Sequence, residues 1–452
     1  MSKIFGTDGI RCLVNQEPLT VETCLKISKS VAYVLKNKSN ENSRVVICKD
    51  TRLSGYLYEP ILTSGFISMG MEVILVGPLP TPAVPLMIKT LRADIGVMIT
   101  ASHNTYEYNG LKFFDSNGFK LNSNIEKRVE IIVSNKKKYS VISNNSFVIG
   151  KARRLEDAPG RYSEFLKSSL SKKLIKKRQF NIVLDCANGA TYNTAPNLFW
   201  ELGHKVSVIN NTPDGKNINK NCGAVDTSQL SKKVIQQKAD IGFAFDGDGD
   251  RIIVVDENGI EIDGDKIIAL FCKNFIRPKN KPKEYDVIVT IMSNMGLEKY
   301  LKEKLKLKIK RTDVGDINVI NQMRKSKSLI GGEQSGHIIM SNFSNSGDGI
   351  LAALKIIEIM SSTKNKTSKV FNLYKDFPQK KINLKYKKNS TLLNNVISNL
   401  QKDRKLNNKK IRSLVRLSGT EPLVRILVEG ENKNIVEKNA NKIANIVRPC
   451  LV

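Results

Sequence analysis

At 452 residues the chain is longer than one hydrophobic core supports, because single cores stop growing at roughly 250–300 residues; three or four domains are expected. Forty per cent hydrophobic and 26% charged residues exclude wholesale disorder. The formal charge of +30 admits nucleic acid, anionic membranes or anionic small molecules as partners. The lysines, however, fall in short separate runs such as Lys136-Lys137-Lys138, Lys172-Lys173, Lys176-Lys177-Arg178 and Lys387-Lys388. No RRM, KH or helix-turn-helix signature flanks them. A lysine-biased solvated surface is the expected reading, steering of phosphorylated substrates comes second, and no specific nucleic acid is expected.

The opening Met1-Ser-Lys-Ile-Phe-Gly-Thr-Asp lacks the charged-then-apolar pattern of a signal peptide, and no apolar run approaches the ~18 residues that span a bilayer. A cytoplasmic protein with no membrane partner is expected. Seven scattered cysteines without a C-x-x-C pair speak against disulfides and structural zinc.

In chain order, β-branched runs, Gly- or Asn-rich turns and helical stretches alternate, which is the α/β signature. Arg44–Cys48, Glu72–Val76 and Ile95–Thr100 are predicted as buried strands of a first unit; Asn181–Asp185, Lys205–Ile209 and Ile241–Phe245 as strands of a second. Asp286–Ile291 begins a third, with helices predicted over Gly264–Asn274 and Gly349–Ser361. Spacings suit parallel βαβ units. Beyond about residue 366 the composition turns lysine- and asparagine-rich around short strands, with a strand at Val424–Glu429 and a closing helix near Asn434–Val447. The polar stretch Thr363–Ser368 is the predicted linker. The expected fold class is therefore α/β: three similar domains with mixed or parallel sheets over 1–155, 156–253 and 254–366, and a smaller C-terminal α+β domain over 367–452.

Four motifs carry chemistry. Thr100-Ala101-Ser102-His103-Asn104 places a serine at the C-terminal end of a predicted strand, where open α/β sheets hold ligands. Serine is a weak nucleophile until its proton is removed, and His103 and Lys112 are the nearby candidates. In Asp240–Arg251, DIGFAFDGDGDR, three aspartates alternate with glycines after an apolar strand, so Asp246, Asp248 and Asp250 converge. Converging like charges call for a cation, and hard oxygen ligands suit Mg²⁺. An EF-hand fails because Arg251 stands at the loop's sixth place, where glycine is needed. Gly331-Gly332-Glu333-Gln334-Ser335-Gly336-His337 offers polar groups suited to sugar hydroxyls and an amine. Arg416-Leu417-Ser418-Gly419-Thr420-Glu421-Pro422, with Arg425 downstream, gathers donors for a dianionic phosphate. Two of the three histidines lie inside these motifs.

In order and spacing the four motifs, with Phe5-Gly-Thr-Asp-Gly-Ile-Arg11 at the start, resemble the α-D-phosphohexomutase superfamily over essentially the whole chain. The resemblance implies a central cleft between domains and the following roles. Ser102 carries the phosphoryl group and, with Asp246, Asp248 and Asp250, holds one Mg²⁺ per subunit. Glu333, Gln334, Ser335 and His337 read the sugar together with Arg251. Arg416, Ser418, Gly419, Thr420 and Arg425 grip the phosphate that does not react. Arg11, Lys112 and His103 serve proton transfer or charge stabilisation. The G-E-Q-S-G-H loop and the S-G-D-G-I run at Ser346–Ile350 resemble the bacterial branch acting on glucosamine phosphates. That implies interconversion of the 6- and 1-phosphates through a phosphoserine and a 1,6-bisphosphate, feeding amino-sugar and cell-wall precursor synthesis, the same chemistry on mannose or glucose phosphates being the alternative. A homodimer is compatible with the sequence but not specified by it. Cys12, Thr105, Ile317 and Ala224-Val225-Asp226 depart from the family's pattern.

Overall fold

The computed structural model describes residues 3–6, 8–36, 43–143, 148–171, 178–276, 286–386, 391–403, 406, 410–417 and 422–451. Three mixed sheets are built on one plan. In the first, strands β1 (Ile10–Leu13), β2 (Arg44–Lys49), β3 (Glu72–Pro78), β4 (Ile95–Ile99), β5 (Tyr108–Phe114) and β6 (Ala152–Arg154) lie in the order β1-β5-β4-β2-β3-β6. β2, β3, β4 and β6 run parallel, and β5 returns antiparallel against β4. The second sheet, β7 (Asn181–Asp185), β8 (Lys205–Ile209), β9 (Ile241–Phe245), β10 (Ile252–Asp256) and β11 (Glu261–Ile262), is ordered β11-β10-β9-β7-β8. Here β10 returns antiparallel against β9. The third, β12 (Val287–Thr290), β13 (Ile309–Thr312), β14 (Ile330–Gly332) and β15 (Ile338–Met340), is ordered β13-β12-β14-β15, with β15 returning against β14.

Each sheet thus delivers one motif in the turn between its last parallel strand and the antiparallel return strand: 100–107 after β4, 246–251 after β9 and 333–337 after β14. These are carboxyl ends of parallel strands, where backbone groups are free to meet a ligand. The strands form because both faces are covered. Every residue of β4 and β9 is buried, as continuous apolar runs in parallel sheets require. Helix Val21–Leu35 places Ile27 and Val31, and helix Gly55–Ile67 places Leu62 and Phe66, against Val45 and Ile47 of the first sheet. Helix Gly349–Ser361, capped by the Asp348 side chain on Leu351 N–H, is buried almost all round.

The chain divides into two compact units. The three mixed sheets belong to one, Met1–Met292 with Lys306–Asn372; the other takes Ser293–Leu305 with Leu373–Val452. In the second unit strands β16 (Gln379–Lys385), β17 (Ile411–Leu417) and β18 (Leu423–Gly430) form an antiparallel sheet ordered β16-β18-β17. Helices Thr391–Lys402 and Lys433–Val447 add Leu393, Val436 and Ile443 to a core with Val415, Val424 and Val428. Helix Met295–Glu303 joins them: Asn294 Nδ2 donates to Phe377 O at 3.0 Å, Tyr300 stacks on Tyr374, and Lys299 pairs with Glu431.

Two expectations are corrected. The boundary at 253/254 falls inside β10, because the return strand stays paired in the second sheet, which runs on to Ile262. Thr363–Ser368 is no free linker. Thr367 is buried and donates to Asp240 O at 2.6 Å, Ser368 N–H and Oγ donate to Glu257, and a short helix follows over Thr367–Phe371. The division between units falls at Asn372/Leu373. Among the described residues no helix is long and apolar enough to cross a membrane.

Candidate active site

Ser102 follows β4 and adopts a left-handed backbone, φ +52°. Its N–H donates to Thr100 Oγ1 at 2.9 Å, and its own Oγ donates to Asp246 Oδ2 at 2.8 Å across 144 residues of sequence. The approach explains the glycine between the first two aspartates: a Cβ on Gly247 would stand 2.7 Å from Ser102 O.

Asp246, Asp248 and Asp250 are all buried, with one carboxylate oxygen of each within 4.8 Å of the others. Asp246 Oδ1 accepts Arg251 N–H at 3.1 Å. Asp248 Oδ2 accepts both Thr81 Oγ1, at 2.6 Å, and Lys112 Nζ, at 2.8 Å. Lys112, from β5, also reaches Asp250 Oδ2 and Asp8 Oδ2, each at 3.2 Å. Burial opposes the Lys112 cation, but Asp248, Asp250 and Asp8 together hold its pKa well above the ordinary lysine value. Among the carboxylates, burial and then Asp250 and Asp248 push Asp246 well up. Asp250 is held well down, because Lys112 and His337 outweigh its burial. Three carboxylates this close do not all ionise without a cation.

The trio fits such a cation. Asp248 Oδ1 and Asp250 Oδ1 are buried without a hydrogen-bond donor among the described residues, while Asp246 Oδ2 accepts the Ser102 hydroxyl. An all-oxygen set of this kind suits a hard divalent ion that leaves room for phosphate oxygen.

Around this centre His103 Nδ1 lies 3.4 Å from Ser102 Oγ. Burial, then Arg251 and Arg11, push its pKa down to about 3, so the ring is neutral. Arg11, on β1, donates to Asn104 Oδ1 at 3.1 Å and Asp8 Oδ2 at 3.0 Å. The backbone of Arg251 pairs with that of His337 in an isolated antiparallel bridge, and the buried Arg251 Nε has no acceptor among the described residues. His337 Nδ1 faces Asp250 Oδ1 at 3.6 Å. Burial works against its charged form, yet Asp250 and Asp316 raise its pKa. Its Nε2 accepts Gly347 N–H at 3.2 Å, which places the ring proton on Nδ1. Glu333 accepts from Gly315 N–H at 3.0 Å and from Ser335 Oγ at 3.4 Å. Gln334 turns instead to Asp263, 3.0 Å away.

Arg416 and Arg425 lie in the second unit, directly opposite each other across β17 and β18 and therefore on one face. Two guanidinium groups on one face suit a dianionic guest. Ser418, Gly419 and Thr420 lie outside the described residues.

Sequence reasoning missed Asp8, Thr81, Lys120 and Asp316. Lys120 bridges Asp8 and Asp316; burial opposes the Asp8 anion, but Lys112, Lys120 and Arg11 draw its pKa down. Thr81 and Lys120 had no local signal, since their partners lie more than a hundred residues away, whereas Asp8 stands in the opening motif beside its partner Arg11 and Asp316 directly precedes Ile317.

A serine hydroxyl set against three buried carboxylates, beside fixed cations, is an arrangement suited to phosphoryl transfer. Family models for phosphoglucomutase/phosphomannomutase match throughout: alpha/beta/alpha domain I over residues 2–140, domain II over 160–259, domain III over 263–377 and the C-terminal domain over 380–446. The chain belongs to the phosphoglucomutase/phosphomannomutase family and is a mutase, an isomerase by class. It is 42% identical to the phosphoglucosamine mutase of Zymomonas mobilis over 98% of both chains. With that of Ruthia magnifica it shares 43% over 99% of this chain and 100% of the relative. Its fold resembles a family protein from Burkholderia thailandensis at a TM-score of 0.83 and 21% identity, covering 100% of this chain and 98% of that one. The N-acetylphosphoglucosamine mutase of Aspergillus fumigatus, solved with GlcNAc-6P and magnesium, gives 0.62 at 18% identity, covering 99% and 96%.

Proposed function

We propose that this enzyme interconverts glucosamine 6-phosphate and glucosamine 1-phosphate, with Ser102 as the phosphoryl carrier. The observation that carries the reading is the 2.8 Å approach of Ser102 Oγ to Asp246 inside the carboxylate trio. The substrate follows from relatives named phosphoglucosamine mutase, aligned over nearly the full length of this chain. Asp246, Asp248 and Asp250, with an oxygen of Ser102 or its phosphoryl group, would hold one Mg²⁺. That ion would neutralise charge on the transferring group.

Starting from phosphorylated Ser102, the Ser Oγ–P bond breaks as a bond forms from phosphorus to the sugar O1. The O1 proton passes to the neutral His103, whose basicity rises when a dianionic phosphoryl group stands beside it, and from there to Ser102 Oγ, 3.4 Å away, as that oxygen leaves phosphorus. The resulting 1,6-bisphosphate turns round. Its O6–P bond then breaks as Ser102 Oγ bonds to phosphorus, and the hydroxyl proton of Ser102 passes by way of His103 to the departing O6. Lys112, paired with Asp8, Asp248 and Asp250, is placed to stabilise charge beside the transferring group, one of the two roles that the resemblance implies for it. Arg251, with its unengaged Nε, and His337 face the phosphoryl and sugar oxygens. Glu333 and Ser335 bind hydroxyls or the amine, and Gln334 braces their loop through Asp263. Arg416 and Arg425, with Ser418, Gly419 and Thr420, grip the phosphate that is not reacting. Seven free cysteines accord with a reducing, cytoplasmic setting.

The test is a side-by-side assay of glucosamine, mannose and glucose 6-phosphates. Glucosamine phosphate is expected to be preferred and Ser102→Ala to abolish turnover without unfolding the protein. Preference for mannose or glucose phosphate would reject the substrate, and an active Ser102→Ala enzyme would reject the carrier.

A further inference from the structure

The left-handed backbone of Ser102 is uncommon for a residue with a side chain and persists where surroundings impose it. Two side chains outside every motif of the sequence reading hold it from behind. Arg52, in the turn after β2, is almost wholly buried. Its Nε donates to Asp50 Oδ2 at 2.9 Å. One terminal nitrogen donates to Thr105 O and to Tyr108 O, the latter at 3.0 Å, and the other to Ser102 O at 3.0 Å and Asn104 O at 2.8 Å. Asn219, in the segment between β8 and β9, donates its Nδ2 to the same two carbonyls, Ser102 O and Asn104 O, both at 2.8 Å. Asp50 completes the brace by accepting Thr100 Oγ1 at 2.6 Å, the hydroxyl that in turn accepts Ser102 N–H.

Only a planar guanidinium offers donors in a rigid fork that can meet four carbonyls and a carboxylate at once. Arg52 comes from the part of the chain that supplies the serine, and Asn219 from the part that supplies the aspartates. Both grip the same two carbonyls, Ser102 O and Asn104 O, so the serine loop is registered against the metal loop through Asn219. Among the described residues, neither side chain hydrogen-bonds to the carboxylate trio.

We propose that Arg52 and Asn219 are positioning residues that set the Ser102 hydroxyl at its transfer distance from Asp246, and so govern phosphoryl transfer without binding sugar. This rests on Ser102 being the phosphoryl carrier. Asn219 is itself left-handed, φ +56°. Asn219→Gly tolerates that backbone and removes the two donors, and Asn219→Asp keeps the shape but sets an anion against two carbonyl oxygens. Arg52→Lys keeps the charge beside Asp50 and loses the fork.

For these variants and wild type, kcat and KM are measured together with Tm. Recovery of phosphoserine after phosphatase treatment, on adding a hexose 1,6-bisphosphate, is followed by intact mass. In the Asn219 variants kcat and phosphoserine recovery are expected to fall about 10- to 100-fold, with KM and Tm little changed; Arg52→Lys is expected to change kcat in the same direction. Wild-type kcat in both folded Asn219 variants, or raised KM with kcat intact, overturns the clamp while leaving the carrier reading in place. A wild-type enzyme that never takes a phosphoryl group on Ser102 overturns both.

Discussion

At the scale of single residues, the third histidine shows how differently one side chain can be used in one molecule. His103 and His337 stand in the active centre, whereas His204 is wedged between Phe180, 5.7 Å away edge-on, and Phe199. Its Nδ1 is buried without a partner among the described residues, and Glu358 lines the same small cavity. Burial lowers its pKa below the ordinary 6.5. The unfolded chain therefore takes up a proton near pH 6.5 that the folded protein refuses. The stability due to the neutral ring is fully present above that pH and is lost as pH falls below it, toward the folded value. His204→Leu is expected to flatten the loss of Tm between about pH 6.5 and 5, as read by calorimetry across that range; an unchanged slope would assign the acid sensitivity elsewhere. Ser102 and the three aspartates were legible because each stands in a dense motif of neighbouring polar residues and glycines, although Ser102 meets Asp246 144 residues away. Thr81 and Asn219 were not, for each acts on a partner over a hundred residues away, and a lone threonine or asparagine between elements gives no periodicity or spacing to read.

At the scale of elements, the parallel strands were legible because burial on both faces makes them unbroken apolar runs, as in β4 and β9. The three-residue strands β6, β14 and β15 carry too few residues for any period, and the middle one was read only as part of a glycine-rich loop. The linker was misread because its polar residues resemble a solvated connection until Thr367 and Ser368 meet Asp240 and Glu257. The strand-turn-strand unit also makes a sharp demand at Gly247. A methyl group there would meet Ser102 O and Asn219 Nδ2, each at 2.7 Å; the first is backbone and the second is a side-chain amide tied to two carbonyls. Gly247→Ala is expected to cost about 1–3 kcal/mol and to lower kcat more than KM, as measured by denaturant titration and steady-state assay. A variant with unaltered kcat would show that the two turns need not touch.

At the scale of the whole molecule, the charge of +30 has found no nucleic-acid motif to serve, whereas a phosphorylated substrate is drawn to a positive surface. The ratio kcat/KM is expected to fall several-fold as salt rises from low to physiological strength, with kcat unchanged; a flat dependence would make the lysines a matter of solubility alone. The interrupted second unit bears on synthesis. Helix Met295–Glu303 belongs with strands and helices that begin only at Leu373, so when it leaves the ribosome its partners have not been translated. At roughly 5–20 residues per second it waits several seconds, its Leu297 and Leu301 without the fold that will bury them. A chain released early would expose that segment to proteases and chaperones even if all three mixed sheets had already formed.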